Sequence, residues 1–222
     1  ALSLPSAVWN SGIPSWGIPM RSSVLVVAAH PDDEVLGCGA TIAKLSRQQP
    51  VRIAILGEGI SSRHNRREDA DRRALDRLQE QARAAAKTLQ AASVEFGGLP
   101  DNRFDEVAFL DIVKQVERWI AAHKPRVIYT HHPGDLNIDH GLTFRAVLTA
   151  TRPQAGCPVE EVYAFEVASS TEWAFQRIEP PFRPNVFVDV SSTLELKLKA
   201  LRAYAGEMRP FPHPRSREAL EA

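Results

Sequence analysis

The stretch Val24-Leu25-Val26-Val27-Ala28-Ala29-His30-Pro31-Asp32-Asp33-Glu34 decides how the rest of the chain reads. Six apolar residues without interruption are the pattern of a β-strand covered on both faces, and hence of a parallel sheet. The run ends at once in an imidazole and three carboxylates. Gathering so many like charges in one loop is unfavourable unless a cation compensates them. A divalent metal is the natural compensator: His with Asp suits zinc, and a carboxylate left off the metal could act as a base on a metal-held water. The plainer reading is a helix cap, with Asp32 or Asp33 at the cap position.

Downstream, strands and helices alternate, the pattern of βαβ units. A helix is expected over about Gly39 to Gln48, then a strand over Val51 to Leu56 broken by Gly57-Glu58-Gly59. A long helix follows from about Arg67 to Gln90, and a short strand from Val94 to Phe96. Phe109, Ile112, Val113, Val116 and Ile120 recur at helical spacing within Phe104 to His123. Pro125 introduces a strand over Arg126 to Thr130. Further elements are expected at Gly141 to Thr151 (helix), Val162 to Val167 and Asn185 to Val190 (strands), and Leu194 to Tyr204 (helix). The expected fold is a three-layer α/β sandwich with a Rossmann-like, mostly parallel sheet.

The strand ending at Thr130 runs straight into His131-His132-Pro133-Gly134-Asp135-Leu136-Asn137-Ile138-Asp139-His140. Ligands of open α/β sheets collect beyond the carboxyl ends of the strands, so this loop and the one at His30 should meet. Two converging loops favour a metal site over a lone helix cap. Asp135 and Asp139 read as partners that fix imidazole tautomers, or as turn and cap residues. His131 and His132 are adjacent, so their side chains must diverge.

Composition narrows the function. Lys plus Arg and Asp plus Glu number 27 each in 222 residues, which argues against a chain built to hold nucleic acid or an anionic membrane. No stretch approaches the roughly 20 apolar residues of a membrane helix. Cys38 and Cys157 are far apart and show no CxxC spacing, so a reducing, cytoplasmic setting is the default, with Cys38 a packed residue. Ala1 to Pro19 carries no charge and reads as a leader or flexible arm; residues 20–222 read as one domain. Glu218 to Ala222 stops in helix formers, so the native chain is expected to run further.

Ala29-His30-Pro31-Asp32-Asp33-Glu34, followed by Leu36-Gly37-Cys38-Gly39, resembles the signature of the PIG-L/LmbE family of zinc-dependent N-deacetylases. Asp139-His140 resembles the end of the second family block, HxDH. Phe165-Glu166 and Ser169-Ser170-Thr171-Glu172-Trp173 resemble a sugar-deacetylase subgroup. The resemblance implies one zinc ion per chain held by His30, Asp33 and His140, with Asp32 as general base. It implies removal of acetyl from an N-acetylated, N-acetylglucosamine-like amino sugar, a small-molecule substrate. A homo-oligomer is compatible with it, because in some relatives a late histidine assists across a subunit interface. His213, between Pro212 and Pro214, resembles that histidine; the plain alternative is a surface turn. The family also places a substrate-binding arginine near Arg63 and Arg67.

One position departs from the family pattern: Asn137 stands where HxDH has its first histidine. An amide can donate a hydrogen bond to an oxyanion but cannot deliver a proton near neutral pH. The acid role must then fall to protonated Asp32, to another histidine such as His132 or His213, or to water. A dinucleotide-binding oxidoreductase is disfavoured, since no GxGxxG follows the first strand. A two-metal phosphoesterase and a non-catalytic sugar-binding relative are the remaining alternatives.

Overall fold

Val24–Ala28 forms β1, and every one of its residues is buried. Its side chains alternate between two cores, as the pleat requires. In the computed structural model, which describes residues 23–63, 66–69, 71–204 and 206–221, β1 is the middle strand of five. The expected arm Ala1 to Pro19 lies outside the described residues. The other strands are β2 (Val51–Gly57), β3 (Ser93–Leu99), β4 (Val127–His131) and β5 (Glu161–Phe165). Their order is β3-β2-β1-β4-β5 and every pairing is parallel. The chain moves outward through β2 and β3, then crosses back to lay β4 on the other side of β1. That reversal opens a crevice at the carboxyl ends of β1 and β4, the usual ligand position in open parallel sheets.

Among the described residues, six α-helices flank the sheet: α1 (Asp33–Ser46), α2 (Arg72–Thr88), α3 (Phe109–His123), α4 (Ile138–Ala150), α5 (Leu194–Leu201) and α6 (Arg217–Glu221). Val24, Val26 and Ala28 pack with Ile42 of α1, Ala82 and Ala85 of α2, Leu201 of α5, and Tyr204. Leu25, Val27 and Ala29 pack with Ile112, Val116 and Trp119 of α3 and Val147 of α4. The result is the three-layer α/β sandwich. Gly37 lets α1 lie against β5: a Cβ there would fall 2.2 Å from the Phe165 ring. Among the described residues no helix is long and apolar enough to cross a membrane.

Five elements differ from expectation. α1 begins at Asp33 instead of Gly39, and α4 at Ile138 instead of Gly141. The expected long helix is divided into a 3₁₀ turn at Arg67–Asp69 and α2, whose cap Asp71 accepts from the Arg73 N–H at 2.9 Å. A similar turn, Phe104–Glu106, precedes α3. No strand forms at 185–190. Pro180, Pro181 and Pro184 lead into that segment, and proline cannot complete a ladder. Lys44 of α1 instead donates to the Asp189 carbonyl at 2.6 Å.

Candidate active site

The crevice between β1 and β4 gathers His30 from the loop after β1, Asp33 from the first turn of α1, and His140 from α4. Asp33 Oδ2 lies 3.3 Å from His30 Nδ1 and 3.2 Å from His140 Nε2. Nitrogen and oxygen ligands about 2.0–2.1 Å from a tetrahedral zinc stand about 3.3 Å from one another. Two of the three pairs match that spacing, and all three ligand atoms lie within 4.8 Å of one another, close enough to hold one metal ion. The His30 N–H also donates to Asp33 Oδ2 at 2.8 Å, which holds the carboxylate under the imidazole.

Each imidazole has a carboxylate at its far nitrogen. His30 Nε2 is 2.9 Å from Asp139 Oδ2 and 3.3 Å from Asp101 Oδ1. His140 Nδ1 is 3.1 Å from Asp135 Oδ1. Such partners fix the tautomer and turn the other nitrogen's lone pair toward a metal. The partners are themselves anchored: Asp139 Oδ1 accepts from the Phe104 N–H at 3.0 Å, and Asp135 accepts from Ser170 and, at 2.6 Å, from Thr171. Burial by itself would lower the His140 pKa, but the charge of Asp33 and the adjacent Asp135 carboxylate lift it to about 9. His30 is raised in the same way, with Asp139 and Asp33 overcoming burial. Burial would raise Asp33, yet the neighbouring His140 and His131 hold it well below the usual carboxylate range. Asp135 is held at about 2 against burial, chiefly by His140. The cluster is a set of mutually compensating charges, ready to exchange protons for a cation.

Asp32 sits beside this cluster with φ at 113°, in backbone space that a non-glycine residue rarely occupies. Its N–H donates to Glu34 Oε2 at 3.0 Å, and Glu34 Oε1 accepts from the Tyr204 hydroxyl at 2.5 Å. Burial, then the charge of Asp33, pushes the Asp32 pKa well above the ordinary value, opposed by Arg215. Arg215 Nη1 lies 2.9 Å from Asp32 Oδ2.

A cavity of about 350 Å³ opens over these groups, within the size range of small-molecule sites. His30, Asp32, Asp33 and His140 line it, together with Asp101, Asn102, Asn137, Arg77, Gln81 and Arg215. Gly57 permits the close packing beneath: a Cβ there would meet the Ala29 carbonyl at 2.9 Å and the His30 ring at 3.2 Å.

The remaining sequence candidates divide. Asn137 lines the cavity and caps α4, accepting from the Asp139 N–H at 2.9 Å and donating to Asn102 Oδ1 at 2.8 Å. His131 accepts from the Ala29 N–H at 2.8 Å and stacks on His140, tying β4 to β1. His132 turns toward Gly134 and Phe182. His213 is absent from the cavity lining; its Nδ1 accepts from the Arg215 N–H at 3.0 Å and its ring meets Trp173 edge-on. Arg67 is engaged by Glu58, with two contacts of 3.0 Å, and lies outside the cavity. Arg63 ends the 3₁₀ turn Ser61–Arg63, and its side chain lies outside the described residues. Sequence reasoning missed Arg77, Asp101 and Arg215. Asp101 follows a strand's carboxyl end, a usable signal; Arg77 was hidden among the many charges of α2, and Arg215 lies two residues beyond His213.

The family model described as GlcNAc-PI de-N-acetylase (PIG-L) matches residues 25–151. The uncharacterized deacetylase YaiS of Escherichia coli is 28% identical over 197 residues, spanning 83% of this chain and 91% of that protein. The 4-oxalmesaconate hydratase of Pseudomonas putida is 28% identical over 204 residues, spanning 84% and 74%. The N,N'-diacetylchitobiose deacetylase structure from Pyrococcus horikoshii superposes with a TM-score of 0.62 at 18% identity, covering 90% of this chain and 73% of that one. Because the family model spans more than half of the 222 residues, from β1 through α4, this chain belongs to the PIG-L family.

Proposed function

We propose that this protein is a zinc-dependent N-deacetylase that removes acetyl from an N-acetylglucosamine-like amino sugar. One observation carries the reading: His30, Asp33 and His140 bring three ligand atoms within 4.8 Å of one another, Asp33 at zinc spacing from both imidazoles, with the Asp32 carboxylate beside them on a polar, sugar-sized cavity. The names of relatives support the chemistry: deacetylase for YaiS and for the diacetylchitobiose enzyme. Zinc bound at these atoms would polarise the acetamide carbonyl and acidify a water toward a pKa of about 7.

The chain's own residues supply the proton path. Asp32 Oδ2 is engaged by Arg215, which leaves Oδ1 to take the proton of the attacking water. A carboxyl whose pKa is raised by burial can then return that proton to the leaving amine. This assigns to Asp32 the acid role that Asn137 cannot fill. Asn137 contributes a hydrogen-bond donor at the cavity side, and Arg77, Gln81 and Asp101 are suited to sugar hydroxyls. His213 serves the turn that carries Arg215.

The test is acetate release from a panel of N-acetylglucosamine derivatives, with added zinc and after chelation. Turnover lost on chelation and restored by one equivalent of zinc is expected. Asp32→Asn should keep the metal and lose about 10²–10⁴-fold in kcat. Near-normal turnover in that variant would overturn the role of Asp32. Phosphate release with two metals bound, hydration of an unsaturated oxo-acid in place of deacetylation, or zinc binding without turnover of any acetamido sugar would overturn the function.

A further inference from the structure

Arg215 reaches the site from 183 residues beyond Asp32. Its guanidinium is held at several points. Nε donates to Ser169 Oγ at 2.6 Å and to the Ala168 carbonyl at 3.3 Å. Nη1 bridges Glu207 Oε2 at 2.6 Å and Asp32 Oδ2 at 2.9 Å. The backbone that presents it is equally fixed: the Arg215 N–H donates to His213 Nδ1, and the Ser216 N–H to the His213 carbonyl at 2.8 Å. Only 18% of the Arg215 side chain is exposed, so these contacts form in partial shelter from water.

Asp32 needs such a partner. Its backbone is already set by its neighbours: the N–H is taken by Glu34, and φ lies in a sparsely populated region. Its carboxylate has a hydrogen bond to one side chain among the described residues, that of Arg215. Without it, the carboxylate can rotate about χ1 and χ2 away from the acetamide carbon, and misplacement by about 1 Å can cost about 10²-fold in rate. A planar guanidinium fixed by three neighbours is preorganised in a way a flexible ammonium is not.

We infer that Arg215 is a positioning residue that anchors Asp32 Oδ2 and aims Oδ1 at the reacting water. The inference rests on the deacetylase reading above, in which Asp32 is the base. A merely structural Arg215 would tie the chain's end to the site and leave turnover per folded molecule intact.

The experiment compares wild type with Arg215→Ala and Arg215→Lys on whichever acetamido sugar the wild type hydrolyses. Arg215→Ala should lower kcat about 10²-fold, shift KM by less than about threefold, and retain one zinc per chain. Added guanidinium ion should restore at least about tenfold of that loss and do nothing for Asp32→Asn. Arg215→Lys, which keeps the charge, should recover part of the rate. A kcat for Arg215→Ala within about threefold of wild type, a loss carried by KM, or a folded variant that guanidinium does not rescue would overturn the assignment. Should wild type hydrolyse no acetamido sugar, the deacetylase reading fails on its own. The anchoring is then read from crystal structures of zinc-loaded wild type and Arg215→Gln: a displaced Asp32 carboxylate supports it, and an unchanged rotamer overturns it.

Discussion

Glu34 is buried to 1% exposure, and burial lifts its pKa to about 7 even though Tyr204 and the Asp32 N–H bond to it. Its folded pKa lies above the unfolded value of 4.5, so the folded state binds the extra proton. The associated stability is complete below pH 4.5 and lost as pH rises through 7. Glu34→Gln keeps one acceptor oxygen for the Asp32 N–H, turns an amide N–H toward the Tyr204 hydroxyl, which can accept as well as donate, and removes the titration. Urea unfolding at pH 5 and pH 8 should show wild type losing about 2.5 kcal/mol more across that interval than the variant. Equal losses would place the ionised Glu34 in a better-solvated setting than its burial indicates. At this scale the sequence was readable where residue type dictated chemistry. His30, Asp33 and His140 carry lone pairs that their neighbours orient. Arg215 was not readable, because nothing in Pro214-Arg215-Ser216 announces a contact with a residue near the other end of the chain.

The helices teach a different lesson. The reading from sequence started α1 and α4 after their polar loops, at Gly39 and Gly141. Both helices start inside those loops, at Asp33 and Ile138, so that Asp33, Glu34 and Asp139 occupy first turns. Unpaired N–H groups and the positive end of the helix dipole favour carboxylates there. The failed strand at 185–190 has the opposite cause: β-branched residues satisfied the pattern, but the adjoining prolines and the hold of Lys44 on the Asp189 carbonyl took the segment out of the sheet. At this scale Gly37→Ala is informative. The added methyl would collide with the Phe165 ring, forcing α1 off β5. A loss of about 1–3 kcal/mol by chemical denaturation is expected. A variant as stable as wild type would mean that the ring can rotate aside.

For the molecule as a whole, parallel strands, order of elements and the meeting of two loops were all readable, since hydrophobic runs and their punctuation record them. What closes the cavity was not, because α2 and the segment around Arg215 reach it through tertiary packing that no local pattern encodes. A cation joining the ends of β1 and β4 should stabilise the whole sandwich, by an amount that grows with its concentration over Kd. His140, with its pKa near 9, is protonated at pH 7 and must release that proton to a metal. Zinc should therefore raise Tm more at pH 8 than at pH 5.5, and calorimetry in buffers of different ionisation enthalpy should record protons released on binding. No difference in Tm gain between the two pH values would remove His140 from the ligand set.

The cavity is assembled from unlike sources. Its base comes from the segments that follow β1 and β4, while Ala74, Arg77, Leu78 and Gln81 come from one face of α2 and Glu207 and Arg215 from the distal segment. Substitutions on that helix face can reshape what enters without disturbing the atoms that could hold a cation. Within such a scaffold, diversification of accepted molecules and preservation of the hydrolytic apparatus are separable, so related chains can part ways in diet while keeping the same teeth.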